Sequence, residues 1–153
     1  MTQPWKFDAT VAETFVDHAR HHIPNYDLVI DKCVSQCEYY LKEDSAIIDV
    51  GCATGETLRR LHSAGFDNLT GVESSHAMLQ HCDYTIADLI HSDRFPDKNF
   101  DAVLCNWTLH FIEDKKLDEE YLGTLFKKSD MFFIDRGNKE AAERFNQLKE
   151  RFP

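Results

Sequence analysis

The ten residues Ile47-Ile48-Asp49-Val50-Gly51-Cys52-Ala53-Thr54-Gly55-Glu56 constrain this chain more than any other stretch. Three β-favouring residues and an acid run into a turn of small residues, and a helical pattern begins directly behind it. Such a layout ends a strand, bends the backbone tightly and aims the amides of a helix N-terminus at a nucleoside-bearing ligand. Gly51 and Gly55 stand where a Cβ would obstruct the turn or the ligand. The next strand-like run, Leu69-Thr70-Gly71-Val72-Glu73, ends in an acid. It lies about twenty residues past the glycine turn, where a doubly wound fold holds ribose hydroxyls.

Around this unit the elements alternate. Residues 10–22 form a helical pattern, Ile23-Pro24-Asn25 interrupts it, and a second helix follows from Tyr26 to Lys42. Its Ile30, Cys33, Val34, Cys37 and Leu41 recur on one face at helical spacing. Then come strand 46–50, helix 56–63, strand 69–73, helix 75–82, strand 84–88, strand 100–105, helix 117–128, strand 131–135 and helix 138–151. Gly65 stops the first core helix, and Ser45 and Asn68 sit at turn positions. Short apolar strands alternating with helices predict an α/β fold: a doubly wound, Rossmann-like parallel sheet of about five strands with two N-terminal helices.

At 153 residues the chain fits one domain with a real core. A formal net charge of −10 repels polyanions, which argues against nucleic-acid binding by this chain alone and favours a small-molecule substrate. No run of about eighteen apolar residues suggests a membrane span, and no signal-peptide pattern is present. Five cysteines, Cys33, Cys37, Cys52, Cys82 and Cys105, make an odd, scattered set without framework spacing. Reduced thiols in a cytoplasmic protein fit them best.

The motif set resembles the class I S-adenosylmethionine-dependent methyltransferases, over about residues 45 to 137. Asp49, Gly51, Ala53 and Gly55 fill that family's first motif, with Ala53 where many relatives carry a middle glycine. Glu73 matches the ribose acid, and Ile86-Ala87-Asp88 matches the adenine-side acid after the third strand. Phe100-Asp101-Ala102-Val103-Leu104-Cys105-Asn106 matches the fourth strand, followed by Trp107-Thr108-Leu109-His110-Phe111. The resemblance implies S-adenosyl-L-methionine as cofactor and methyl transfer to a small molecule. It also implies a single cofactor-binding domain over 1–153, with residues 1–43 as a helical lid and 44–153 as the core.

On that footing the amides of Cys52, Ala53 and Gly55 approach the methionine part, with Asp49 organising the turn beneath them. Glu73 takes the ribose hydroxyls, or else caps the helix that opens at Ser74-Ser75. Asp88 accepts from the adenine amine with Leu89 packing on the ring, or is merely a loop acid. Asn106 and Trp107 face the methionine amino group and the reacting methyl.

His110 is the titratable residue near that strand tip suited to act as a base, or it is a rim or capping histidine. No Asn/Asp-Pro-Pro-Tyr-like sequence follows the fourth strand, which argues against an amino group of a base or amide as acceptor. Phe7-Asp8 through Phe15, Ile23-Pro24-x-Tyr26 and Asn106-Trp107-Thr108-Leu109 more specifically resemble carboxy-S-adenosylmethionine synthases, which act with prephenate. In those enzymes a distal arginine grips the carboxylate; Arg136 is the nearby cation in its place here. A third alternative is a cofactor-binding module or subunit without catalysis.

The chain runs out one predicted helix after the fifth strand, so the family's final β-hairpin is expected to be absent. That leaves the apolar Met131-Phe132-Phe133-Ile134-Asp135 at a sheet edge, a reason to expect a homodimer or a partner chain over it. No metal is expected. His18, His21 and His22 share a helix face that could hold zinc but lack a fourth ligand, so a solvated helix end is preferred. Cys33 and Cys37 fit the core, Cys52 fits packing without a redox role, and the acids from Glu113 to Glu120 fit a solvated helix start.

Overall fold

The computed structural model describes residues 8–94 and 99–106, together with the backbone of 131–134. Its elements are α1 (Ala9–Glu13), α2 (Phe15–His22), α3 (Tyr26–Tyr40), β1 (Ile47–Val50), α4 (Glu56–Ser63) and β2 (Leu69–Glu73). α5 (His76–Leu79), β3 (Asp88–His91), a 3-10 turn at Ser92–Arg94, β4 (Ala102–Cys105) and β5 (Met131–Ile134) follow. The strands form one parallel sheet in the order β3-β2-β1-β4-β5. Strand order reverses between β1 and β4, so the doubly wound α/β expectation holds, and the crevice of such sheets opens at this point. The expected helices 117–128 and 138–151 lie outside the described residues, as does Asp135.

β1 and β2 are buried along their whole length, as parallel strands covered on both faces must be. Ile47, Leu58, Leu61, Leu69, Ala102 and Leu104 form one cluster with Ile30, Val34 and Cys37 of α3. Each large aliphatic side chain so buried contributes about 1.5–3 kcal/mol. The periodic face of α3 is therefore the face that meets the sheet. The residue before it, Asn25, adopts φ 59°, the left-handed geometry with which the chain leaves Pro24.

The helix expected over 75–82 is the shorter α5, α3 ends at Tyr40 instead of Lys42, and two further boundaries differ for reasons the structure shows. The helix expected over 10–22 is broken at Thr14, whose backbone (φ −121°, ψ 16°) closes α1 while its carbonyl accepts from the His18 amide to open α2. Among the described residues three helical pieces, not two, thus precede the sheet. The third strand spans 88–91, not 84–88. The Asp83 side chain accepts from the amide and hydroxyl of Thr85, and the Asp83 carbonyl accepts from the Ile86 amide. This turn holds residues that β-propensity alone would extend, because a side chain that satisfies nearby backbone competes with the ladder.

An ionic seam fastens the N-terminal helices to α4. Arg60 pairs with Asp27, with Asp31 at 3.0 Å and with Glu56 at 3.2 Å; Arg20 pairs with Asp27 at 3.0 Å. Among the described residues no helix is long and apolar enough to cross a membrane.

Candidate functional site

The register of the strands decides which residues share the rim of the crevice. Asp49 stands level with Gly71 and Leu104, and Val50 with Val72. Gly51, Glu73 and Asn106 therefore follow at the tips of β1, β2 and β4. The turn closes over its neighbour: the Gly51 and Cys52 amides both donate to the Val72 carbonyl, at 2.7 and 3.1 Å. Beyond them the backbone takes positive φ at every second residue, 77° at Gly51, 51° at Ala53 and 86° at Gly55. Glycine enters that region freely, whereas Ala53 carries a strain of about 1–2 kcal/mol.

Glu73 is what holds Ala53 there. Its Oε1 accepts from the Ala53 amide at 3.0 Å, and its Oε2 accepts from the Ser75 amide at 3.0 Å and the Ser74 hydroxyl at 3.4 Å. Of the two alternatives for Glu73, the capping of the Ser74-Ser75 bend is what these contacts show. Ser75 caps α5 in turn, its hydroxyl accepting from the Met78 amide.

Asp49 lies beneath the turn at 5% exposure, and Glu73 at 9%. Burial, and next the charge of Glu73, push the Asp49 carboxyl up to about 8. Below about pH 8 Asp49 therefore holds its proton, and an opposite charge placed beside it would favour release of that proton.

Gly71 is required for a different reason from the turn glycines. A Cβ there would lie 2.8 Å from Leu58 Cδ1, 2.9 Å from Cys52 Sγ and 2.9 Å from Leu89 Cδ2. The bare backbone of β2 lets α4, the turn and β3 converge on one point.

The register of the third strand places Asp88 and Leu89 at its beginning, not after its end. Asp88 is exposed and pairs with Thr70, at the end of β3 opposite to the crevice; Leu89 pairs with Gly71 and packs towards the core. Because the Asp83–Thr85 turn delays the strand, it is His91 that stands level with Glu73. The His91 ring bonds the Ser74 carbonyl through Nε2 at 2.9 Å, meets Asp93 through Nδ1 at 3.1 Å, and stacks on His76 at 4.2 Å. Sequence reasoning missed these three residues at the rim; the Asx-turn signature at Asp83 is the signal that could have found them.

Asn106 is half-buried at the tip of β4, and its amide donates to Cys33 Sγ of α3 at 3.4 Å. Trp107, His110 and Arg136 lie outside the described residues. Between α1–α2 and the exit of the turn lies a cavity of about 310 Å³, lined in part by Phe15, Arg20, Thr54, Glu56 and Arg59.

Residues 48–120 match the family model described as a methyltransferase domain. The carboxy-S-adenosyl-L-methionine synthase of Erwinia tasmaniensis is 29% identical over 136 residues, which cover 80% of this chain and 55% of that protein. The enzyme of the same name from Marinobacter nauticus is 31% identical over 123 residues, 72% of this chain and 49% of that one. The chain thus spans about half the length of the curated relatives it matches. The plantazolicin methyltransferase BpumL, solved in complex with a desmethylPZN analog and SAH, superimposes with a TM-score of 0.61 at 17% identity, over 92% of this chain and 66% of that one. The fold and the resemblance carried by the motifs are those of S-adenosylmethionine-dependent methyltransferases.

Proposed function

We propose that this chain, carrying a methyltransferase domain and the corresponding fold, binds S-adenosyl-L-methionine above β1, β2 and β4 and serves group transfer to a small molecule. The observation that carries the reading is the Glu73 carboxylate, bonded to the amide of the left-handed Ala53. Glu73 would hold the ribose, the amides of Cys52 to Gly55 the methionine part, and Asp49 the turn beneath. Asn106 and Trp107 would line the methionyl end, Ser74 would adjoin the ribose, and residues 1–43 would form a lid. When bound, the cofactor supplies an electrophilic carbon on sulfonium sulfur. The protein's share is alignment of donor and acceptor, which provides much of the rate in such displacements. His110 would take the proton of an acceptor that carries one.

Calorimetry tests the reading. A charge-assisted hydrogen bond contributes roughly 1.5–3 kcal/mol, so Glu73→Ala should weaken cofactor binding about ten- to a hundredfold. Equal affinity in the variant would remove Glu73 from the site, and no binding by either protein would remove the cofactor.

A second reading, carboxylation of the cofactor with prephenate, is favoured by the name shared by the curated relatives. Incubation with both compounds followed by mass analysis of the nucleoside decides between them. A carboxylated product selects this activity; a methylated acceptor selects the first. Binding without turnover on any acceptor would instead mark a cofactor-binding module or subunit. The thiols of all five cysteines are free, which supports a reducing, cytoplasmic location. A second copy or a partner over β5 would complete the sheet edge, and its mass in solution against a 17.8 kDa monomer tests that.

A further inference from the structure

Two thiols converge on the carbonyl oxygen of Ala53. Cys82, three residues past the end of α5, lies with its Sγ 3.2 Å from that oxygen, and Cys52, inside the turn, lies with its Sγ 4.0 Å from it. The same residue's amide is the one that Glu73 holds. The two side chains also touch the two close approaches of the site: Cys52 Sγ abuts Gly71, and Cys82 Sγ abuts Gly55. Cys82 is half-buried, whereas Cys52 is buried. A partly open thiol backed by a buried one is the arrangement in which the first meets an oxidant and the second resolves the product.

The electrostatics agree with that division. Each thiol is the leading influence on the other, holding Cys82 down and pushing Cys52 up; burial and the charge of Glu73 oppose the lowering of Cys82, and Arg59 favours it. The Arg59 guanidinium reaches the Thr54 carbonyl at 3.4 Å, so its charge lies along the same turn.

We infer that Cys52 and Cys82 form a peroxide-sensitive dithiol pair whose disulfide disables the cofactor turn. The Cys82 sulfur attacks one oxygen of hydrogen peroxide, the O–O bond breaks, and the displaced hydroxide leaves as water with the thiol proton. The resulting sulfenic acid is attacked by the Cys52 sulfur; the S–O bond breaks and a second water leaves with the Cys52 proton. Two thiols lose two electrons and two hydrogens, and one peroxide becomes two waters. A disulfide has no hydrogen to donate, so the Ala53 carbonyl loses both thiol donors. Its sulfurs must also close to about 2.05 Å, which pulls the turn towards α5. Ala53, already in strained backbone, is the residue that moves.

The consequence for binding rests on the cofactor reading above; the disulfide itself does not. The reduced chain is titrated with S-adenosyl-L-methionine, then treated with a small excess of hydrogen peroxide. It is unfolded, alkylated with iodoacetamide and mapped by peptide mass, and an unalkylated portion is titrated again. The expected result is a single linkage between Cys52 and Cys82, with Cys33, Cys37 and Cys105 alkylated. Affinity falls about tenfold or more and returns with dithiothreitol. Cys82→Ser, which keeps a donor to the Ala53 carbonyl, binds like the reduced protein and keeps its affinity after peroxide. Alkylation of all five thiols, a Cys33–Cys37 linkage instead, or a Cys52–Cys82 disulfide with unchanged affinity would each overturn the inference. A reduced chain that ignores the cofactor would sink the cofactor reading alone, and the peptide map would still decide the thiol chemistry.

Discussion

The tip of β1 and the tip of β3 border the same crevice but are built by opposite means. At β1 the geometry is local: alternate left-handed residues, two glycines and a carboxylate one strand away fold the turn on itself within a few residues. At β3 no glycine turn marks the end; a 3-10 turn at Ser92–Arg94 follows, its Asp93 amide donating to His91 Nδ1. The strand begins where the Asp83 turn releases it, and its pairing with β2 brings His91, not Asp88, to the level of Glu73. Steric necessity built the first rim and register the second. A substitution at the first should therefore disturb folding as well as binding, whereas one at the second should act on binding alone.

Gly71→Ala probes that contrast hardest. Its added methyl meets three side chains in the closed layer between turn, α4 and β3. Overpacking of this kind costs roughly 1–3 kcal/mol, so urea unfolding should show a clearly lower midpoint. An unchanged midpoint would mean that the turn is not packed as tightly as its geometry implies.

Asp49 provides a middle-sized test through pH. Its folded carboxyl titrates near 8, far above the ordinary value of 3.8, so the folded chain binds this proton more tightly than the unfolded one. The stabilisation is complete below about pH 4 and drains away as pH rises to about 8. Relative to Asp49→Asn, the wild type should lose on the order of 1 kcal/mol or more between about pH 5 and pH 8. Parallel pH profiles for the two proteins would show that Asp49 is ionised throughout. In the presence of a cationic ligand the difference should shrink, because an opposite charge restores the carboxylate.

The smallest effects separate the two readings of β3. Asp88→Ala should leave cofactor affinity within about twofold, since Asp88 is exposed at the far end of the strand. His91→Ala removes the bond to the Ser74 carbonyl and should weaken binding by about two- to fivefold, the worth of one neutral hydrogen bond. A reversed ranking would restore Asp88 to the rim and discard the register argument.

Much of the site is legible in the amino-acid sequence because its causes are short-ranged. Gly51, Gly55 and Glu73 announce a strand, a left-handed turn and an acid in order, and α3 shows its buried face in Ile30, Cys33, Val34 and Cys37. The break at Thr14 and the start of β3 are hidden, since β-branched residues such as Thr85 and Ile86 favour strands until a neighbouring side chain captures the backbone. Cys82 is invisible as a neighbour of Ala53 for a simpler reason: 29 residues separate them in the chain, and no spacing rule links them.

From the sequence alone came the α/β class, the order of elements and the glycine turn with its acid, all dictated by side-chain volume, backbone freedom and periodicity within a few residues. Tertiary structure decided which residues share a level. Parallel strands carry no turn that sets their register, so only packing across the sheet could bring His91 beside Glu73 and two thiols onto one carbonyl oxygen.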